Sequence, residues 1–186
     1  MKVKSKEVYI ALLRGVNVGG NNKLPMKALA ALCEAHGCLA VQTYIQSGNV
    51  VFRAGAKAAG GFSAALRARI KEDFGFETTL ILRTAGELKA VTESNPFLKT
   101  GVDTKFLHVM FLAEKPNLVD VVKLNPVCDR DEAFSLQGRE IFLYLPYGGG
   151  RSKMASYGYD KVLRTACSTR NWQTVTKLLA LAHAAS

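Results

Sequence analysis

The stretch 39-LAVQTYIQSGNVVFR-53 reads as two strands joined at Ser47-Gly48-Asn49. Apolar and β-branched residues stand on either side of a Gly-Asn pair, and those two residue types tolerate the positive φ that tight hairpin turns need. Upstream, residues 7–13 (EVYIALL) form a nearly continuous apolar run, the pattern of a buried strand. Pro25 then suits the first turn of a helix, where its missing N–H costs nothing. Met26, Leu29, Leu32, Cys33 and His36 share one face of that helix, and Gly37 suits its C-terminus. Downstream, residues 54–61 (AGAKAAGG) read as a flexible connection. Phe62, Leu66, Ile70 and Phe74 recur every four residues and mark a second helix closed by Gly75, with Arg67, Arg69 and Lys71 on its outer face. Residues 77–83 (ETTLILR) form a further strand, and Thr84 with Glu87 has the spacing of a capping box. The order is β-α-β-β-α-β, the signature of a ferredoxin-like sandwich with both helices on one face of an antiparallel sheet.

Asn95-Pro96-Phe97 breaks the chain, and a less regular second half follows. It reads as a strand over 105–113, a helix from Pro116 to about Leu124, and a hairpin of 132–137 and 139–145 around Gly138. Two helical segments, 159–166 and 171–184, then end the chain, with Asn171 as an N-cap. The expected architecture is therefore α+β: two ferredoxin-like (α-β plait) halves, antiparallel sheets with helices packed on one face. Residues 1–95 make the first half with a linking helix, and 96–186 the second.

Composition narrows the class. The chain has 186 residues, 48% hydrophobic and 22% charged, a globular balance with room for one good core or two small ones. No apolar run reaches the roughly 18 residues that span a bilayer. The basic-then-apolar start lacks the length and the small-residue cleavage site of a signal peptide, so a cytoplasmic location is expected. Cys33, Cys38, Cys128 and Cys167 form no zinc pattern and read as buried or incidental thiols; His36, His108 and His183 are scattered. No metal and no cofactor is implied. The net charge of +10 is uneven: residues 1–71 carry +9, residues 72–138 carry −4, and residues 139–186 carry +5. Basic ends attract anions, nucleic acid included.

Three long stretches, 13-LRGVNVGGNNKLPM-26, 43-TYIQSGNVVF-52 and 169-TRNWQTVTKL-178, together resemble the "domain of unknown function 1697" family of uncharacterised bacterial proteins. Asn95-Pro96-Phe97 and Ser152-Lys153 add to the likeness, which spans nearly the whole chain. The resemblance implies two ferredoxin-like halves and no established activity.

The loop after the first strand draws the functional reading. It matches neither G-x-x-x-x-G-K-[ST] nor G-x-G-x-x-G, so it is no standard nucleotide loop. Its glycines can still turn backbone N–H groups toward an anion, and it leads to a helix N-terminus that favours negative charge. Arg14 at the strand end offers a bidentate grip on phosphate or carboxylate. In the β-α-β-β-α-β order this loop and the Gln46–Asn49 turn come to the same end of the sheet. The candidate ligand-binding residues are Arg14, Asn17, Gly19, Gly20, Lys23, Ser47 and Asn49. Arg151 and Lys153 of a second glycine-rich basic loop, beside Tyr157 and Tyr159 as stacking partners, and Arg170 complete the set. Glycines that only turn the chain, and a Ser-Gly-Asn that only makes a hairpin, account for part of the same pattern.

Binding of a phosphorylated or anionic small molecule is the leading reading. One alternative is RNA or DNA binding through the basic ends, with Tyr9 and Phe52 as the strand aromatics such domains expose. The other is a phosphoryl-group hydrolase or transferase, for which no general base stands out.

Overall fold

The computed structural model describes residues 6–125, 128–129, 131–156 and 159–186. Tyr157, named above as a stacking partner, lies outside the described residues. The chain divides into two units: Met1–Lys89 with Lys177–Ser186, and Ala90–Thr176.

In the first unit, β1 (Glu7–Arg14), β2 (Leu39–Tyr44), β3 (Asn49–Ala54) and β4 (Thr79–Thr84) form one antiparallel sheet in the order β2-β3-β1-β4. Helices α1 (Met26–Ala35) and α2 (Ala56–Phe74) supply the crossovers. Central strand β1 pairs with β3 through Leu12↔Asn49 and with β4 through Arg14↔Thr79. One face of the sheet (Tyr9, Ala11, Leu13, Val50, Phe52, Leu80) packs with Leu29 and Cys33 of α1 and Phe62, Leu66 and Ile70 of α2. Each fully buried apolar side chain of this kind contributes roughly 1.5–3 kcal/mol. Val8, Ile10 and Leu12 on the other face of β1 are buried too, which is why its sequence shows no polar alternation.

Two expectations change here. Residues 54–61 are not a flexible connection: α2 already starts at Ala56, and Gly60 and Gly61 lie inside it. Alanine is the strongest helix former, and three of them offset glycines that cost about 1 kcal/mol each. Tyr9 and Phe52 are not exposed aromatics. They are 7% and 0% exposed, with rings 5.8 Å apart, and Phe52 lies 4.6 Å from Phe62 beneath α2.

α3 (Ala85–Ser94) begins with the predicted capping box: Thr84 N donates to Glu87 Oε2 at 2.8 Å, and Glu87 N donates to Thr84 Oγ1 at 3.1 Å. In the second unit, β5 (Leu107–Leu112), β6 (Ala133–Gln137), β7 (Glu140–Tyr144) and β8 (Cys167–Asn171) form a sheet in the order β6-β7-β5-β8. Short helices α4 (Leu118–Val122), α5 (Lys153–Ser156) and α6 (Tyr159–Leu163) fill the connections; α7 (Trp172–Ala184) ends the chain, its residues from Lys177 onward belonging to the first unit. The core of this unit joins Met110, Leu112, Ile141 and Leu143 to Val121, Leu124, Met154 and Leu163. Strand β8 is the element that local pattern does not announce. Its five residues, CSTRN, pair with β5 from Leu112↔Cys167 to His108↔Asn171 and give both sheets the same strand order. Asn171 is still the cap of the last helix, its Oδ1 accepting from Thr174 N at 2.8 Å.

The loop after β1 is closed by its own asparagines. Asn17 Nδ2 donates to Leu24 O at 2.9 Å and to Gln46 O at 2.8 Å, while its Oδ1 accepts from Leu24 N at 2.8 Å. Asn22 Nδ2 donates to Gly15 O at 2.8 Å, and Asn17 N donates to Asn22 O at 3.0 Å. The β2–β3 turn docks on the same place: Leu13 N donates to Gly48 O at 2.8 Å. Gly48 has φ +72°, and a Cβ there would stand 2.6 Å from Val16 Cγ2 and 2.7 Å from Leu13 Cβ.

Urea denaturation of three variants tests this account. Gly48→Ala adds both a clash and a left-handed alanine, and should destabilise by about 1–3 kcal/mol. Gly60→Ala, in a helix with open space around it, should stabilise by about 0.5–1 kcal/mol. Asn17→Ala, which leaves Leu24 N and two carbonyls without their amide partner, should cost about 1–3 kcal/mol.

Candidate functional site

At the end of β1 a polar cleft of about 330 Å³ opens between the strand end, the start of β4 and helix α2. Arg14, Gly15, Asn22, Arg67, Glu77, Thr78 and Thr79 line it. Register explains part of this gathering, since Arg14 and Thr79 are direct cross-strand neighbours on β1 and β4. Thr78 ties the rest together. Its Oγ1 donates to Arg14 O at 2.8 Å, and its carbonyl accepts from Arg67 Nε at 2.9 Å. Thr78 is 6% exposed, so the residue at the centre of this linkage is buried, while Arg14 and Arg67 are exposed. The bond to Nε orients the guanidinium of Arg67 and leaves its terminal amino groups available for a further acceptor.

One carboxylate shares the cleft. Glu77 Oε1 accepts from Lys71 Nζ at 2.6 Å, and that hydrogen bond, with the lysine's charge, lowers the Glu77 pKa. The two charges of the Lys71–Glu77 pair offset one another, and Arg14 and Arg67 bring two further positive charges to the lining. A planar guanidinium presents a fork of donors to phosphate or carboxylate, and the Thr79 hydroxyl and the second amide proton of Asn22 add uncharged donors, while the Thr78 hydroxyl proton is committed to Arg14 O.

The residues expected from sequence distribute unevenly. Arg14 lines the cleft, and Asn17 braces the loop behind it through the bonds described above. Gly19 and Gly20 form the open tip of the loop, both with positive φ and both with open space where a side chain would stand. Lys23 is exposed one residue after Asn22. Ser47 is half-buried in the β2–β3 turn, and Asn49 is fully buried with Nδ2 donating to Tyr44 O at 3.1 Å. The predicted meeting of the two turns at one end of the sheet is thus made by Asn17 and Gln46 themselves.

Arg151, Lys153 and Arg170 belong to the second unit. Arg151 and Lys153 are exposed, and Arg151 N donates to Gly148 O at 3.1 Å. Tyr147 bonds Asp131 through its hydroxyl, and Tyr159 is buried with its hydroxyl on Lys153 O at 3.1 Å. Arg170 is on β8 and not at a helix start. It is 8% exposed, donates to Ser168 Oγ at 2.9 Å and to Thr169 O at 2.8 Å, and burial pulls its pKa down to about 10.

Sequence reasoning passes over Asn22, Thr78, Thr79 and Glu77, and notes Arg67 only as part of a basic helix face. The available signal is the polar run Glu77-Thr78-Thr79 just before an apolar strand, where hydroxyls stand at a sheet end.

Among the described residues no group of three or more His, Cys, Asp or Glu side chains could hold a metal ion, and no helix is long and apolar enough to cross a membrane. None of the four cysteines is in a disulfide, and Cys167 Sγ donates to Asp160 Oδ1 at 2.8 Å. Burial raises the Cys33 thiol to about 12 and the Cys38 thiol to about 11, which keeps both protonated at neutral pH.

No curated protein matches the chain. Among solved structures it is similar to the conserved bacterial protein SP0830 from Streptococcus pneumoniae, with a TM-score of 0.75 and 21% identity over 96% of this chain and 99% of that one. At that identity the likeness is one of fold. Residues 7–142 match the family described as "Protein of unknown function (DUF1697)", and the chain belongs to that family.

Proposed function

We propose that the protein binds a phosphorylated or otherwise anionic small molecule in the cleft at the end of β1. The observation that carries this reading is the meeting of Arg14 and Arg67 in one polar cleft with Asn22, Thr78 and Thr79. Two guanidinium groups with nearby neutral donors form a set suited to a tetrahedral or planar oxyanion. Arg14, Asn22, Arg67 and Thr79 are the proposed contact residues, Thr78 holds the two arginines in place through its hydroxyl and carbonyl, and exposed Lys23 adds positive charge along the same loop. Asn17, Gly19, Gly20, Ser47 and Asn49 are given a supporting part, as the two turns that hold the strand end in place.

Binding is favoured over phosphoryl transfer. The lining contains no histidine, and a Glu77 whose pKa is lowered by Lys71 is a weak general base. Binding is also favoured over nucleic-acid recognition through the first sheet, because Tyr9 and Phe52 are buried beneath α2 and offer bases no stacking surface.

Thermal denaturation of wild type, Arg14→Ala and Arg67→Lys against inorganic phosphate, carboxylates and a short RNA, at two salt concentrations, tests the reading. Phosphate at 100 times its dissociation constant should stabilise wild type by about 2.7 kcal/mol. Arg14→Ala should weaken that binding at least about tenfold, a loss of about 1.4 kcal/mol. An RNA response that collapses with salt and persists in Arg14→Ala would transfer the function to nucleic acid. A wild type indifferent to every anion would remove the proposal.

A further inference from the structure

The Arg14 cleft does not end at Arg67. A second cleft of about 280 Å³ adjoins it and shares Arg67, Glu77 and Thr78 with it. Its remaining lining comes from Ala64, Ala68 and Lys71, all on α2. Positions 64, 67, 68 and 71 fall on one helical face, because residues three and four apart are neighbours there. Ala64 and Ala68 are both exposed.

The two compartments differ in chemistry. The first has Arg14, Asn22 and Thr79, which are polar or charged. The second has two alanine methyls and the Lys71–Glu77 pair, closed on itself at 2.6 Å. A paired lysine and glutamate offer no net charge to a second phosphate. The carboxylate of Glu77 still has lone pairs to accept from a hydroxyl. A bare inorganic anion would use the first compartment alone and leave the methyls of the second in water. Each cleft by itself is at or below the lower end of the roughly 300–1,000 Å³ usual for small-molecule sites, and the pair joined across Arg67 falls within it.

We infer that the ligand is a phosphomonoester of a small uncharged alcohol, its phosphate between Arg14 and Arg67 and its organic group over Ala64 and Ala68 beside Glu77. This rests on the anion-binding reading above and adds the substrate class to it. Of the shared residues, Arg67 then faces the phosphate on one side and bounds the organic group on the other.

Calorimetric titration of the full chain with inorganic phosphate, phenyl phosphate and glycerol phosphate separates the two claims. Wild type should bind phenyl phosphate at least about tenfold more tightly than inorganic phosphate, through apolar area removed from water. Ala68→Gln, on an exposed helical position that glutamine suits, fills the second compartment and should bring that ratio close to one. Ala64→Gln is a second variant with the same expected result, and unchanged far-ultraviolet circular dichroism checks that each remains folded. Equal binding of inorganic and organic phosphates by wild type overturns the inference and leaves the anion site standing. So does a ratio that survives both glutamine variants. Absence of binding by all three probes overturns both.

Discussion

The end of strand β1 is the constraint on which the first unit depends. β1 is hydrogen-bonded on both edges and buried on both faces, so it cannot shift to suit the chain that leaves it. The loop must adapt instead. Asn17 makes that possible by standing in for a strand partner: one side-chain amide satisfies the N–H and C=O of Leu24 and also reaches Gln46 O in the next turn. Gly48 completes the arrangement from the other side, because only a residue without Cβ brings its carbonyl to Leu13 N that closely. Two turns distant in sequence are thereby held against one strand end.

The chemistry of the cleft follows from that rigidity. With the end of β1 fixed, Thr78 can bond both the Arg14 carbonyl and, through its own carbonyl, the Arg67 side chain. The second arginine is thus placed by main-chain geometry and not by a mobile charge pair. Surface ion pairs such as Lys71–Glu77 contribute little to stability by themselves, but this one governs which charges remain to act. Lys71 occupies the Glu77 carboxylate, the one carboxylate among the described lining residues, and Arg67 also acts on it. The excess positive charge of residues 1–71 has the same sign and would draw anions toward this end of the chain.

The second unit shows the same sheet order used differently. There Arg170 lies buried within its own strand, bonded to Ser168, and Tyr159 packs in the core. A shared topology does not by itself imply shared chemistry.

Much of the fold was legible because its signals are local. The continuous apolar run of β1, the four-residue recurrence of Phe62, Leu66 and Ile70, and the Thr84–Glu87 capping box each act within one or two turns of chain. The sequence alone therefore determined the β-α-β-β-α-β order, the buried helix faces and the convergence of the two turns. What it could not determine depends on partners far along the chain. β8 is a strand only because β5 offers it an edge, since CSTRN has no apolar alternation to declare itself. Arg14 was legible as an unusual residue at a strand end, but its companions Arg67, Thr78 and Thr79 come from elements 53 to 65 positions later. Local spacing governs hydrogen bonds within a helix or hairpin. The cleft exists only once sheet pairing has brought β4 and α2 to the end of β1, and that is a decision of tertiary structure.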